Sequence, residues 1–516
     1  MSFLTEKGEA GRMQISSQAL QDLLLEGYMS DLFSPYITGK KFDWTKYLTV
    51  NPDDIQYRRE VLKVLADNPD LIRRMTELTA TLQMITQVKD EQPGEYGAES
   101  FREFGILQEA FNRMSVMKQS LEAVKAQGTL PEGLERLLTE LTEKLSANYR
   151  EDFEKQWNTR TTGIERIGSF SVRFNLDEEM HVTEAALASV NLPKYGKAKL
   201  FEHSRDSRMS DKITDLAPLK EMETPAEELM EAGLKNSQRI LYRLLRRLTL
   251  DLDELYQDLV FYLGTLHFCS EMADHNIRLT FPEILPQAQK AFRAKDMINP
   301  VLVKLNPGRK PVPNNAVFRD GGEIFLLTGI NQGGKTTYLR TVGTLQLLFQ
   351  LGWPVPAADT AISPVDRIVT VFSHEENTEL EHGKLGQELE TMRGGMEEAT
   401  EYSLLLCNEP ITGTSPMENL YLSRLVLSSC KVRKLRGIWV THLYDLASRA
   451  DAMNDEVPGS RITSMTARII KHGDSVDATY RIEPGAPAFR SYAREVMMKE
   501  TNRFHEIREN GKKAEA

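Results

Sequence analysis

Residues 323–339 read EIFLLTGINQGGKTTYL. Ile324 to Thr328 are apolar or β-favouring and predict a short buried strand. The strand runs into Gly329-Ile330-Asn331-Gln332-Gly333-Gly334-Lys335-Thr336, which fits G-x-x-x-x-G-K-[ST] without a mismatch. Glycines let the backbone curl so that successive N–H groups face inward, and a helix predicted from about Lys335 turns its positive end to the same point. That geometry holds a polyphosphate. Lys335 would reach the β and γ phosphates, and the Thr336 hydroxyl would sit on a magnesium ion. The alternative, a glycine-rich turn that binds nothing, is disfavoured by the strand before it and the helix after it.

Outward from this stretch, 516 residues are too many for one core and predict two to four domains. Charged residues at 27% and hydrophobic ones at 41% describe an ordinary soluble protein. No run of eighteen apolar residues occurs, and Met1 to Arg12 is charged rather than signal-like, so the expected location is cytoplasmic with no membrane partner. Cys269, Cys407 and Cys430 lack metal-ligand spacing and are too few for a disulfide framework; they are expected to be buried small apolar residues. A net charge of −11 argues against strong unspecific attraction to DNA, although a local basic face can coexist with an acidic whole.

From Ser17 to about Leu145 the apolar residues recur at three and four spacing and predict a helical bundle, with breaks at Asn51-Pro52, Asn68-Pro69 and Pro93-Gly94. The period then weakens. GSFSVRFNLDEEMHVTEAALASV, residues 168–190, alternates as two short strands would. Lys194, Lys197, Lys199, Arg205, Arg208 and Lys212 follow in a basic, loop-like stretch, read either as part of a small inserted module or as a solvated loop. A helix opens at Thr224-Pro225, with Glu227 and Glu228 in its first turn, and its length suggests a lever. Arg239, Arg243, Arg246 and Arg247 on it are read as an exposed face paired to acidic neighbours, with phosphate contact as the alternative. The composition changes near 295, before the α/β part.

Beyond the phosphate loop, Arg367 to Ser373 reads as a strand, and Ser403 to Glu409 as a buried apolar strand with a polar end. A nucleoside triphosphatase keeps its second metal and water site there, usually as Asp followed by Glu. Here Asn408 stands first. Its amide accepts a hydrogen bond from a metal-bound water but carries no charge, while Glu409 remains as the base. A further strand, Gly437 to Thr441, ends at His442, which suits a γ-phosphate sensor; a structural histidine is the alternative. Strands near 463–471 and 476–483 would close the sheet edge.

In this order TGINQGGKTTYLR, VPAADTAISPVDRI, ATEYSLLLCNEPITGTS, THLYDLA and YRIEPGAPAFRSYA resemble the MutS family of DNA mismatch repair ATPases, over about residues 311–497. Upstream, LTVNPDDIQYRREVLKVLADNPDL looks like that family's core helical domain, and DLDELYQDLVFYLGTL with RLTFPEI like its returning lever. The resemblance implies an α/β P-loop (ABC-type) ATPase domain at the C-terminus, preceded by an all-α core and lever domain with a small inserted clamp-like module. The expected boundaries are a tail at 1–16, helical core and lever at 17–149, a shortened clamp at 150–235, returning lever helices at 236–295, the ATPase at 296–500 and a tail at 501–516. The family's mismatch-reading and connector domains would precede residue 17, where there is no room for them, and no nuclease domain is expected to follow, so the resemblance implies a short member that lacks them. Phe-x-Glu triplets begin at Phe101, Phe281 and Phe504, none of them in an amino-terminal wedge domain.

The likeness assigns Gly329, Ile330, Asn331, Gln332, Gly333, Gly334, Lys335, Thr336 and Thr337 to the nucleotide and Thr336 with Asn408 to magnesium. It gives Lys335, Glu409 and His442 catalytic roles. It implies a homodimer, with Gly383, Thr412, Gly413, Thr414 and Ser415 acting across it. This chain departs from the pattern at Asn408, at Gly383 where the family has a serine, and at Pro311 where it has an adenine-stacking aromatic. ATP and Mg2+ are the implied cofactors and DNA the implied partner, recognised by structure rather than sequence. The expected function is an ATP-driven DNA clamp in repair or recombination that does not itself read mismatches. The alternative is a dimeric ATP-binding module, structural or signalling, with little hydrolysis.

Overall fold

The structure is a computed structural model that describes residues 11–39, 41–90, 99–146, 169–176, 182–191, 252–319, 321–373, 383–472 and 475–485. The basic stretch with Lys194, Lys197, Lys199, Arg205, Arg208 and Lys212 lies outside them. So do the helix opening at Thr224 and its cluster from Arg239 to Arg247. Among the described residues no helix is long and apolar enough to cross a membrane.

Two compact units make up the chain. One comprises Met1–Leu4, Phe33–Lys41 and Glu60–Gly264, the other Thr5–Leu32, Phe42–Arg59 and Thr265–Ala516. The division departs from the linear boundaries at 16, 149, 235 and 295, because amino-terminal segments pack with the carboxy-terminal half.

Among the described residues from 17 to 145 helices predominate, as the periodicity predicts: α1 (Ser17–Asp22), α2 (Leu25–Phe33), α3 (Pro52–Asp67), α4 (Pro69–Asp90), α5 (Glu99–Gln127) and α6 (Glu132–Lys144). Pro52 and Pro69 each start a helix, where a missing N–H costs nothing. Asn51 accepts a hydrogen bond from the Asp53 N–H at 3.1 Å and so caps α3. In the first unit α4 packs on α5. Leu71, Met75, Leu78, Leu82 and Ile85 of α4 are buried, as are Ala110, Phe111, Met114, Met117 and Leu121 of α5. Arg113 ties the same helices together through Glu77 at 2.5 Å. Residues 169–176 and 182–191 form the predicted pair of strands, β2 (Ser169–Leu176) and β3 (Val182–Asn191), which pair antiparallel with irregularities at two points. Residues 252–274, here α7, are helical, as is α8 (Pro300–Leu305) further along the chain.

The second unit carries two sheets. Its larger one has the order β1-β9-β10-β11-β7-β12-β13. Its strands are β1 (Gln14–Ile15), β7 (Glu323–Thr328), β9 (Arg367–Phe372), β10 (Leu404–Asn408), β11 (Arg436–Val440), β12 (Arg461–His472) and β13 (Ser475–Pro484). All pairs are parallel except β12 with β13. A parallel sheet is covered on both faces, so every residue of β7 is buried and Ile324 to Leu327 within it read as an unbroken apolar run. Leu405 and Cys407 join Val369, Val371 and Trp439 in the core of one face. Leu406 points to the other face, where it meets α9 (Lys335–Gln350). A Cβ on Gly343 of α9 would lie 2.8 Å from Leu406 Cδ1 and 2.7 Å from Leu23 Cδ2, so only glycine lets this helix approach so closely.

Three features correct the sequence reading. Gln14 and Ile15, expected in a tail, pair in parallel with Arg367 and Ile368 as the edge strand of the sheet. Residues 283–284 and 292–297, expected in lever helices, are strands β4 (Glu283–Ile284) and β5 (Phe292–Met297). With β6 (Asn314–Phe318) and β8 (Asp359–Ile362) they form a four-stranded sheet ordered β4-β8-β5-β6, and the boundary expected at 295 falls inside β5. Two-residue strands have no readable alternation, and in β5 the alternation of Phe292 to Lys295 is too short to read before Asp296, at φ +51°, breaks it. Cys407 and Cys430 are buried, whereas Cys269 is only partly so.

The amino-terminal segment is held by polar groups as well. Asp22 accepts from Thr370 Oγ1 at 2.6 Å, and its carbonyl accepts from Arg340 Nε of α9 at 2.6 Å. Gln350, at the end of α9, donates to the Thr49 carbonyl at 2.9 Å. Arg58, fully buried, donates to the Tyr47 and Leu351 carbonyls.

Candidate functional site

Gly329 to Gly334 connect the carboxyl end of β7 to the first residue of α9. The turn needs residues that tolerate left-handed backbone: φ is +145° at Gly329, +59° at Gln332 and +90° at Gly334, which caps the helix. A Cβ on Gly329 would lie 2.6 Å from the Ala467 Cβ, so β12 fixes how tightly the loop curls. Lys335 is 5% exposed, and its Nζ donates to the carbonyls of Gly329 and Ile330, both at 2.9 Å. Burial pushes the Lys335 ammonium below its ordinary range, and Glu409 opposes that shift.

The neighbouring strands end at the same edge of the sheet, where ligands of open parallel sheets bind. Asn408 is the last residue of β10, and its Oδ1 accepts from Thr336 Oγ1 at 3.1 Å. Glu409 follows with φ at +50° and donates its N–H to the Val440 carbonyl at 3.0 Å. This uncommon conformation for a non-glycine residue turns Glu409 out of the strand. His442, two residues beyond β11, meets it with Nε2 at 2.7 Å from Glu409 Oε1. The hydrogen bond from His442 is the main reason the Glu409 carboxyl lies below its usual range; Lys335 adds to the effect and burial opposes it. Lys335, Thr336, Thr337 and Glu409 line one cavity of about 470 Å³ with Asn331 to Gly334.

A depressed carboxyl pKa has a testable sign. Glu409 binds fewer protons in the folded than in the unfolded chain, so its contribution to stability is present above about pH 4.3, the ordinary glutamate value, and is lost as pH falls through the depressed one. In His442→Ala this acid limb is expected to move to higher pH, read from denaturant midpoints between about pH 3 and 6.

A magnesium ion can be weighed against the donors present. Thr336 and Asn408 bring two neutral oxygens to one point, and among the described residues no cluster of three His, Cys, Asp or Glu side chains would hold a metal alone. The set therefore fits magnesium arriving with a polyphosphate that supplies the negative charge, and not a free cation.

Gly383 and Thr412 to Ser415 lie side by side. Gly383 caps α10 (Lys384–Glu398), and Glu388 of that helix accepts from Thr412 N–H at 2.9 Å, Thr412 Oγ1 at 2.6 Å and Gly413 N–H at 2.9 Å. Gly413 has no room for a side chain, since its Cβ would stand 2.7 Å from the Leu385 nitrogen. Ser415 and Glu418 form a capping box at the start of α11 (Pro416–Val432). At Gly383, by contrast, a Cβ meets nothing within 4 Å, so space does not exclude a serine. Pro311 lines the cavity, with Arg309 and Tyr480.

Spacing had pointed to neither Glu388 nor Tyr480. Glu388 sits in a polar helix with no motif around it, and Tyr480 is placed by a strand irregularity that no period reports.

Comparison with known families agrees with this arrangement. Residues 325–509 match MutS domain V and residues 50–275 match the MutS2 N-terminal domain. This is a MutS-like chain. The DNA mismatch repair protein MutS of Sorangium cellulosum (strain So ce56) is 27% identical over 317 residues, which is 61% of this chain and 33% of that protein. The probable DNA mismatch repair protein Msh6 of Drosophila melanogaster is 28% identical over 316 residues, 59% of this chain and 25% of its own. MutS protein homolog 4 of Mus musculus is 24% identical over 310 residues, 54% of this chain and 31% of its own. The MutS-like chain thus spans a quarter to a third of the length of these curated relatives.

Proposed function

We propose that this MutS-like protein is a magnesium-dependent ATPase, acting as a homodimer that couples ATP binding and slow hydrolysis to clamping on DNA in repair or recombination. The observation that carries the reading is the single cavity shared by the glycine-rich loop with Lys335 and by the carboxylate of Glu409 from another strand of the sheet. In it the loop is a P-loop. Its N–H groups and the start of α9 receive the phosphates, and Lys335 exchanges the carbonyls of Gly329 and Ile330 for phosphate oxygens. Thr336 and Asn408 would hold a magnesium ion, which would neutralise phosphate charge when bound. Glu409 orients the attacking water and takes its proton, and His442 holds the carboxylate and senses the γ phosphate. Because its pKa is depressed, Glu409 is charged at neutral pH but a modest base, which suits slow turnover.

The dimer half of the proposal draws on the surface beside Thr412 to Ser415. Met417, Tyr421 and Leu425 are 76%, 70% and 56% exposed at successive turns of α11, an apolar stripe that suits a second copy. The DNA half draws on the relatives' names and on the basic residues from Lys194 to Lys212. Mismatch reading is not part of the proposal: the Phe281–Glu283 triplet is taken up by β4 and by Arg59, whose guanidinium lies 5.8 Å over the Phe281 ring.

ATP turnover with and without a panel of duplex and branched DNA, alongside oligomeric mass, tests the whole reading. Lys335→Ala is expected to weaken ATP binding at least ~10-fold by removing charged hydrogen bonds to phosphate. DNA binding should weaken steeply with salt, and binding that ignores salt and survives neutralising Lys194 to Lys212 removes the clamp assignment. One observation favours a second reading, a dimeric ATP-binding module with little hydrolysis: an uncharged Asn408 faces Thr336 where a carboxylate would strengthen magnesium binding.

A further inference from the structure

Glu409 holds a backbone conformation that a non-glycine residue keeps only where its neighbours over-determine it, with φ at +50° in the left-handed region. On one side its N–H donates to the Val440 carbonyl at 3.0 Å, which anchors it to β11. On the other the chain leaves through Pro410 and Ile411 into residues 412–415. Whatever grips that loop therefore also sets how Glu409 leaves β10.

Two helices grip it. From α11, Asn419 Nδ2 donates to the Ile411 carbonyl at 2.5 Å, while Asn419 Oδ1 accepts from Ser423 Oγ at 2.9 Å one turn further on. From α10, Glu388 takes three donors: Oε2 accepts from the Thr412 and Gly413 N–H groups, each at 2.9 Å, and Oε1 accepts from Thr412 Oγ1 at 2.6 Å. Ile411 is buried, and Gly413 lies against the Leu385 backbone with no space to shift. Only Glu388 and Met392 of α10 are buried. Met392 joins the apolar core, where burial is favourable; a buried carboxyl costs free energy unless hydrogen bonds offset it, and here those bonds go to the loop. Glu388 does not line the cavity that Lys335 and Glu409 share.

We propose that Glu388 is a positioning residue for Glu409: it fixes the loop that follows Glu409 and so keeps that carboxylate aimed at the attacking water, without touching the nucleotide. The proposal rests on the reading of Glu409 as the group that orients this water. A reacting group displaced by about 1 Å loses up to about a hundredfold in rate. The glycine-rich loop joins β7 to α9, and none of these bonds of Glu388 reaches it, so nucleotide affinity stays. Glutamine reproduces the three bonds, its amide oxygen accepting from both N–H groups and its nitrogen donating to Thr412 Oγ1.

Steady-state ATP hydrolysis by the full chain, with ATP affinity from isothermal titration, tests this. Glu388→Ala is expected to lower kcat at least about tenfold while KM and ATP affinity stay within about threefold, and Glu388→Gln to stay within about threefold of wild type throughout. Glu388→Asp, which keeps the helix and retracts the carboxyl by one methylene, should show the same split in smaller measure. The decisive comparison is a double-mutant cycle. In a Glu409→Gln background, Glu388→Ala should cost no more than about twofold further, because a residue acting only through Glu409 has nothing left to position. An unchanged kcat in Glu388→Ala, or in Glu388→Asp should the alanine variant not fold, overturns the proposal. So does a loss that persists in full on Glu409→Gln, or one matched in ATP affinity, since either makes Glu388 a general support of the fold. A Glu388→Gln that falls as far as Glu388→Ala overturns the hydrogen-bond account. Glu409→Gln turning over ATP as fast as wild type removes the base reading and the positioning role together, whereas an inactive Glu409→Gln beside an unaffected Glu388→Ala removes the positioning role alone.

Discussion

Glu409→Gln is expected to lower ATP turnover about 100-fold or more while ATP still binds, because the substitution keeps the shape of the side chain and removes its charge and basicity. The backbone of residue 409 is set by its own hydrogen bond to Val440 and by its left-handed conformation, neither of which needs the carboxylate. His442 can still bond to an amide oxygen, so the pair at 2.7 Å has a neutral counterpart. What disappears is the group that receives a proton from water and the negative charge that faces Lys335. Single-turnover kinetics with the purified chain separates this from a binding defect, since saturation should occur at a similar ATP concentration. Equal rates in wild type and variant would take hydrolysis away from Glu409 and leave the dimeric binding module as the better account.

Gly437→Ala should destabilise the second unit by roughly 3 kcal/mol or more. Gly437 lies on β11, in register with Leu405 of β10 on one side and Ile324 of β7 on the other. An added Cβ would stand 2.3 Å from the Leu405 carbonyl oxygen, which is backbone and cannot rotate away. Relief requires moving apart strands whose spacing of about 4.8 Å is fixed by their hydrogen bonds. Those strands carry the site: Thr441 N–H bonds the Leu327 carbonyl and Glu409 N–H bonds the Val440 carbonyl. The damage should thus reach nucleotide binding as well as the urea midpoint. Gly394→Ala is the control, a helical glycine of α10 with nothing within 4 Å, expected to be neutral or stabilising by about 0.5–1 kcal/mol. Comparable losses in both variants would assign the effect to something other than strand spacing.

Where one segment alone determines structure, the sequence was legible. The run Ile324 to Thr328, the glycines after it and the apolar strand before Glu409 announce their conformations through period and composition. Positions that depend on a distant partner did not. Gln14 and Ile15 are a strand only because Arg367 and Ile368 offer an open edge, and β5 is one only because β6 and β8 flank it. Tyr480 faces the cavity because three residues of β13 oppose one of β12, a register fact no single strand contains. Glu388 reaches the loop at Thr412 through a fold that places α10 against it.

The parallel edge made by Gln14 and Ile15 also sets a timetable for the cell. Gln14 and Arg367 are 353 residues apart in the chain. At ribosomal speeds of about 5–20 residues per second, the first strand waits roughly 20–70 s before its neighbour has been synthesised. Leu23, destined to lie against Gly343, is left without that cover for most of the same interval. A nascent chain stalled before residue 368 thus presents this greasy segment to chaperones, and a gene fragment that begins after residue 59 lacks it altogether. Such a fragment should precipitate unless residues 11–59 are supplied, whether as a separate peptide or grafted onto its carboxyl end.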